Sequence, residues 1–104
     1  MSLKEGTALY VRIDYKIEGK VETEKDAMDC FNYLQEVAKE RYLLAGVFGD
    51  MELGNLNGAM LLFEAETFEE AQKVAQSDPI IERGFYKYEL FKWNLMLSPE
   101  GAGK

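Results

Sequence analysis

The chain has 104 residues, 47% hydrophobic and 30% charged, with 19 acidic against 12 basic side chains, a formal charge of −7, one cysteine and no histidine. That length carries one domain with a single core, and the acidic balance argues against nucleic acid and acidic membranes, which bind clustered Lys and Arg. Without histidine the usual neutral-pH base, His-dependent triads and most zinc sites fall away together.

Alternation opens the fold. Leu9, Val11, Ile13, Tyr15 and Ile17 share one face of a predicted strand over Thr7 to Ile17, and Ala8, Tyr10, Arg12, Asp14 and Lys16 share the other. After Glu18-Gly19-Lys20 the spacing becomes helical from about Thr23 to Glu40. Thr23 is the expected N-cap, and Glu24 and Asp26 suit the positive end of the helix dipole. Ala27, Phe31, Leu34 and Ala38 form the expected apolar stripe, flanked by Cys30 and Val37.

Tyr42 to Phe48 is a short apolar run and a predicted second strand, and the turn-rich segment from Gly49 to Gly58 reads as a hairpin loop ending in Asn57-Gly58, which tolerates positive φ. Strand three, Ala59 to Ala65, is apolar on both faces. Thr67-Phe68-Glu69-Glu70 has the form of a capping box opening a second helix buried through Phe68, Ala71, Val74 and Ala75, and Glu64, Glu66, Glu69 and Glu70 read as a solvated helix start. Pro79 stops that helix and holds Asp78 at a corner. The last strand, Phe85 to Leu95, sets Phe85, Phe91 and Trp93 against Tyr86, Tyr88 and Leu90, and a small polar tail, 98–104, is expected to be flexible beyond a domain over 1–97.

The order βαββαβ is that of the ferredoxin-like plait, an α+β fold with a four-stranded antiparallel sheet and two helices on one face. Two helices cover only one face, and the apolar residues on the other predict a homodimer packed sheet against sheet. The N-terminal Met1 to Gly6 lacks the apolar core of a signal peptide, and no run approaches the roughly 20 apolar residues of a membrane span, so the expected location is cytoplasmic. Cys30 has no partner for an internal disulfide.

Three places carry candidate chemistry. Asp78 is either a carboxylate that orients or deprotonates a substrate, or a cap of its own turn. Cys30 is either a nucleophile activated by a tertiary contact with a cation such as Lys25 or Arg12, or a small core hydrophobe. Arg12 and Asp14, on the polar face of strand one, either pair with each other, line a polar pocket or bridge the dimer. An RNA-recognition signature, a calcium loop and a phosphate loop each fail on residues: the stacking aromatics and basic lead are missing near Asn57 to Phe63, and the ligand positions after Asp50 do not fit.

The segments Leu44-Ala45-Gly46-Val47-Phe48-Gly49-Asp50, Gly58 to Glu66, Thr67-Phe68-Glu69-Glu70-Ala71, Ser77-Asp78-Pro79, Gly84 and Lys92-Trp93-Asn94 resemble the YCII-related family of small dimeric α/β-barrel proteins. The resemblance implies a ferredoxin-like dimer with a pocket at the Asp-Pro corner, where family members commonly pair the aspartate with a histidine on the first helix. Asp78 matches directly, while the histidine position falls at or near Cys30, before Tyr33-Leu34. The resemblance therefore implies a small-molecule site with Asp78 as anchor or proton acceptor and Cys30, Arg12 and Tyr33 as lining groups; separately, neither a metal nor a cofactor is expected. The other expectations are a non-catalytic dimerisation or interaction module, and a small cofactor-free isomerase, monooxygenase or lyase using Asp78, Asp14 or a tyrosine as base.

Overall fold

A computed structural model describes residues 7–54 and 56–97, so the expected tail at 98–104 and the N-terminal Met1 to Gly6 lie outside the described residues. The elements follow the order β1 (Ala8–Lys16), α1 (Glu24–Glu40), β2 (Leu43–Phe48), β3 (Gly58–Ala65), α2 (Phe68–Gln76), α3 (Pro79–Glu82) and β4 (Tyr86–Trp93). All strand pairs are antiparallel and the sheet order is β2-β3-β1-β4, a ferredoxin-like arrangement with β1 and β3 central. Among the described residues no helix is long and apolar enough to cross a membrane.

The expected two helices become three, because Pro79 ends one helix and starts another. Asp78 caps α3, its Oδ1 accepting from the Ile80 N–H at 3.1 Å, with Pro79 in the first turn where its missing N–H costs nothing. Gly84 closes the turn at φ 80°, a left-handed conformation that glycine adopts freely. Arg83 then ties α3 to α1, donating to Asp26 at 2.7 Å and Asp29 at 2.9 Å.

Those bonds help set the rotation of α1, which differs from the expected stripe. Phe31, Ala27 and Ala38 are exposed, whereas Cys30, Tyr33, Leu34 and Val37 turn inward. Tyr33 and Cys30 reach hydrogen-bond partners across the helix layer, so polar contacts as well as the apolar period orient this helix. The capping expectations also divide. Thr23 and Asp26 form a complete capping box, but at α2 only the Thr67 half forms, with Thr67 Oγ1 accepting from the Glu70 N–H at 3.0 Å. The Glu70 carboxylate takes Arg41 at 2.6 Å instead, a charge-assisted bond stronger than one to a backbone amide. Glu64, expected in solvent, is 3% exposed and accepts from the Tyr42 N–H at 2.8 Å, fastening the start of the β2 edge.

The core lies between the sheet and α2, around Tyr10, Leu61, Phe63, Ala65, Ala71 and Val74. Phe68, expected in that core, is 41% exposed, yet its ring lies 6.1 Å from that of Tyr10. The strand register sends Tyr10, Arg12 and Asp14 to the helix side together with Leu61, Phe63 and Leu90. The opposite face carries Leu44, Phe48, Met60, Phe91 and Trp93, all exposed. The Arg12 and Asp14 face is therefore covered by this chain's own helices, and neither residue bridges the helix-free surface.

Gly58 is required by close approach, and its φ is not positive, so the tolerance of Asn57-Gly58 for positive φ goes unused. A Cβ there would lie 2.7 Å from the Asp14 carbonyl oxygen and 3.2 Å from Phe48 Cδ2. The Phe48 ring can move, but the carbonyl belongs to the central strand. Gly58→Ala is expected to cost about 1–3 kcal/mol in denaturant unfolding; a loss indistinguishable from zero would show that β1 and β3 separate freely at this point.

Candidate functional site

Arg12 sits in the middle of β1, opposite Leu61 on β3 and Leu90 on β4, and is 0% exposed. A guanidinium so placed cannot reach bulk water and must be satisfied by protein or ligand. Its Nε donates to Asp14 Oδ1 at 2.7 Å and its Nη2 to Asp14 Oδ2 at 2.6 Å, a bidentate fork along one strand. Nη2 also donates to Asp78 Oδ2 at 2.8 Å, which ties β1 to the corner before α3. One cation thus serves two wholly buried carboxylates.

The same Asp78 oxygen accepts from the Cys30 thiol at 3.5 Å. Arg12, Asp14, Cys30 and Asp78, four groups distant in sequence except for the first two, therefore meet at one point. Cys30 and Asp78 stand at the positions that the resemblance assigned to a histidine and an aspartate, and they are in contact. Tyr33 faces another way: its hydroxyl donates to the Val74 carbonyl at 2.7 Å, joining α1 to α2 outside the cavity described below.

Electrostatics distinguishes these groups. Burial raises the Asp14 carboxyl above its ordinary 3.8, the two bonds and charge of Arg12 pull it back, Asp78 adds to the rise, and the net direction is upward. For Arg12, burial favours the neutral form, but the bonds and charges of Asp14 and Asp78 outweigh it and keep the guanidinium charged. Burial, with the charge of Asp78 next, pushes the Cys30 thiol up to about 12. At neutral pH Cys30 is a protonated donor and lacks the thiolate character of a nucleophile.

Above this cluster α1 packs mainly against α3 and leaves a cavity of about 460 Å³ between itself and the β2-β3-β1 end of the sheet. Arg12, Asp14 and Cys30 form its polar part. Ala27, Phe31 and Leu34 line it from α1, and Ala45, Val47, Ala59 and Leu61 from the sheet. Lys16, Tyr86 and Glu22 stand near the start of α1. Asp78 is not on the wall, being 0% exposed behind Arg12 with both carboxylate oxygens engaged. Asp14 belongs to the wall, with its side chain buried and both carboxylate oxygens held by Arg12.

Two buried side-chain atoms have no hydrogen-bond partner among the described residues, Arg12 Nη1 and Glu22 Oε2. Glu22 and Tyr86 are polar wall residues that sequence reasoning did not assign to a site. Glu22 lies in a run of charged residues before the Thr23 cap, with nothing local to separate it from its solvated neighbours, and Tyr86 is one of several aromatics on its strand. No group of three or more Cys, Asp or Glu side chains able to hold a metal ion occurs among the described residues.

The ion cluster sets a ranking of variants. Arg12→Met leaves two buried carboxylates without their cation and is expected to lose about 3–5 kcal/mol at neutral pH. Asp14→Asn is expected to lose less, because Asp78 still pairs Arg12 and one excess negative charge disappears. Removing the cation takes away the bonds and charge that hold the Asp14 carboxyl down, so its folded value rises further above the unfolded one, and the Arg12→Met deficit shrinks as pH falls towards 4 and grows as pH rises through the folded value. Asp14 in the native protein already has this sign, its folded value being raised above 3.8. Urea unfolding at a series of pH values checks the order; equal losses, or a deficit independent of pH, would contradict it.

Residues 8–94 match the YCII-related domain. No curated protein matches the chain. Among solved structures, the fold is similar to that of 5-chloro-2-hydroxyhydroquinone dehydrochlorinase from Burkholderia phenoliruptrix AC1100, in complex with 2,5-dihydroxybenzoquinone, with a TM-score of 0.70 and 16% identity over 89% of this chain and 98% of that one. An identity that low speaks to the fold alone. The domain match spans most of the sequence, and the chain belongs to the YCII-related family.

Proposed function

We propose that this protein binds a small, mostly apolar molecule in the cavity beneath α1, with Arg12 as its polar anchor and Asp14 as the carboxyl that exchanges a proton with it. The observation that carries this reading is Arg12 Nη1, a buried donor without a protein partner on a residue of the cavity wall. Leaving such a group unsatisfied costs about 1–3 kcal/mol, and a ligand oxygen would remove that cost. The cavity volume of about 460 Å³ falls in the range used for small ligands. A bound ring-sized molecule in the similar dehydrochlorinase structure agrees with this use of the fold.

In this reading Asp78 acts through Arg12 and Cys30. It fixes the guanidinium and caps α3, while Asp14, one strand pleat away and raised by burial, is the better placed base or acid. Negative charge developing on a ligand oxygen would be met by Nη1, a donor already oriented by three bonds to carboxylates. Cys30 contributes a wall and a protonated thiol, and Tyr33 holds the helices together. The open cavity favours a ligand site over the pure interaction module, in which side chains would fill that space.

Association belongs to the same proposal. Leu44, Phe48, Met60, Phe91 and Trp93 expose a continuous apolar face on the helix-free side of the sheet, and a second copy of the chain is its proposed cover. A half-buried free thiol on Cys30 suits a reducing, cytoplasmic setting.

A thermal-shift screen of neutral hydroxylated aromatics and small ketones tests the site. A compound at about 100 times its Kd is expected to add about 2.7 kcal/mol of stability. Ala45→Trp, which fills the cavity from β2 while leaving Arg12 and Asp14 unsubstituted, is expected to abolish the shift. Hits that survive Ala45→Trp would remove the assignment. In the same preparation, sedimentation at micromolar protein is expected to give twice the chain mass, and Phe91→Glu the mass of one chain.

A further inference from the structure

We infer that the cavity is specific for a neutral, two-poled molecule: a carbonyl-type oxygen accepts from Arg12 Nη1, a hydroxyl or amine donates to Glu22 Oε2, and an apolar body joins them. This rests on the reading of the cavity as a ligand site and deepens it by naming the ligand class and a second specificity residue.

Folded proteins pair more than about nine in ten of their buried polar groups, so each exception calls for a cause. Here the two unpartnered side-chain atoms among the described residues belong to residues on the wall of one cavity. They are of opposite kind, a guanidinium donor and a carboxylate acceptor. They also come from unrelated parts of the chain, the centre of β1 and the segment leading into α1, so no single local distortion explains both. Much of the remaining wall is apolar, with Phe31, Leu34 and Leu61 prominent, and it offers neither atom a partner. One molecule carrying an acceptor and a donor would satisfy both.

Charge selects within that class. Two cations, Arg12 and Lys16, stand with three carboxylates, Asp14, Glu22 and the underlying Asp78, so the site is net negative when all are ionised. Arg12 is already matched against two carboxylates at 2.6 and 2.8 Å. A carboxylate or phosphate ligand would add a further negative charge beside buried anions in a poorly solvated space, where like charges repel strongly. A ketone, quinone or amide oxygen takes the Nη1 hydrogen without that penalty. At the other pole Glu22 rejects an acceptor and rewards a donor. Tyr86 stands beside it, its phenol kept protonated by burial first, by the Glu22 charge next and also by a hydrogen bond to the Glu22 carboxylate, of which Oε2 stays unpartnered. Discrimination by a buried polar group against an analogue lacking its partner is the strong kind of specificity, because the analogue leaves the group unpaired.

The test is an amide NMR titration of the intact protein with four probes: 3-hydroxyacetophenone, 4-hydroxyacetophenone, acetophenone and 4-hydroxybenzoate. The better hydroxy ketone is expected to bind about tenfold or more tightly than acetophenone, which lacks the donor, and to exceed 4-hydroxybenzoate, which carries the charge. Glu22→Ala is expected to bring the hydroxy ketone down to the level of acetophenone, and Glu22→Gln, which keeps an acceptor oxygen, to retain part of the preference. Glu22 lies before α1 and outside the core, and an unchanged melting temperature confirms that the variants fold. If probes shift the Cys30 and Ala59 amides but hydroxy ketone and acetophenone bind equally, or the benzoate binds best, or the preference survives Glu22→Ala, the two-pole inference is overturned while the cavity stands as a ligand site. If no probe shifts those amides, both readings fall.

Discussion

Arg12 lies in the middle of a central strand with its guanidinium wholly buried, and separate parts of the chain are arranged by the need to satisfy it. Asp14 answers from the same face of the same strand, two residues along. Asp78 answers from the corner after α2, and Cys30 then packs a thiol against Asp78 from α1. Removing charges from water costs several kcal/mol per ion, and such a cluster is tolerable only when the charges are closely paired, as Arg12 is with Asp14 and Asp78. That requirement links β1, α1 and the α2–α3 corner more specifically than apolar contact alone, which permits many alternative packings.

The cavity is a consequence of the same arrangement. With Arg83 bound to Asp26 and Asp29, and Cys30 turned to Asp78, α1 is drawn towards α3 and stands off the β2 end of the sheet. Small residues at Ala45, Gly46, Gly58 and Ala59 keep the floor beneath it low. The space is therefore bounded by rigid elements and opens directly over a charged cluster with one donor to spare. Preorganised donors of this kind act more strongly in a cavity than in water, because no reorientation is needed when charge develops nearby.

Much of the architecture is legible in the residues. Period-two alternation in β1, the Thr23 cap, the Pro79 stop and the order of elements lead to the ferredoxin-like fold, and the family resemblance is met by a match over residues 8–94. The misreadings have a common origin. The α1 stripe through Phe31, the carboxylate half of the Thr67 box and the solvated Glu64 all rest on local rules, and each is overridden by a partner distant in sequence: Asp78 and Val74, Arg41, and Tyr42. A local pattern ranks the conformations of a segment but carries no information about a charge arriving from elsewhere.

The sequence by itself determined the four strands and the two longer helices, their order, the acidic charge and the convergence of interest on Asp78, Cys30 and Arg12, because these follow from periodicity, capping chemistry, charge count and family pattern. Only the tertiary structure decided that Asp78 lies behind Arg12 while Asp14 lines the cavity, that Tyr33 turns away to Val74, and that Glu22 joins the wall. The physical reason is that burial and distance belong to the assembled sheet and helices. Arg12, Asp14, Cys30 and Asp78 come into contact, and Glu22 joins Arg12 on one cavity wall, only when strand pairing and the rotation of α1 assemble them.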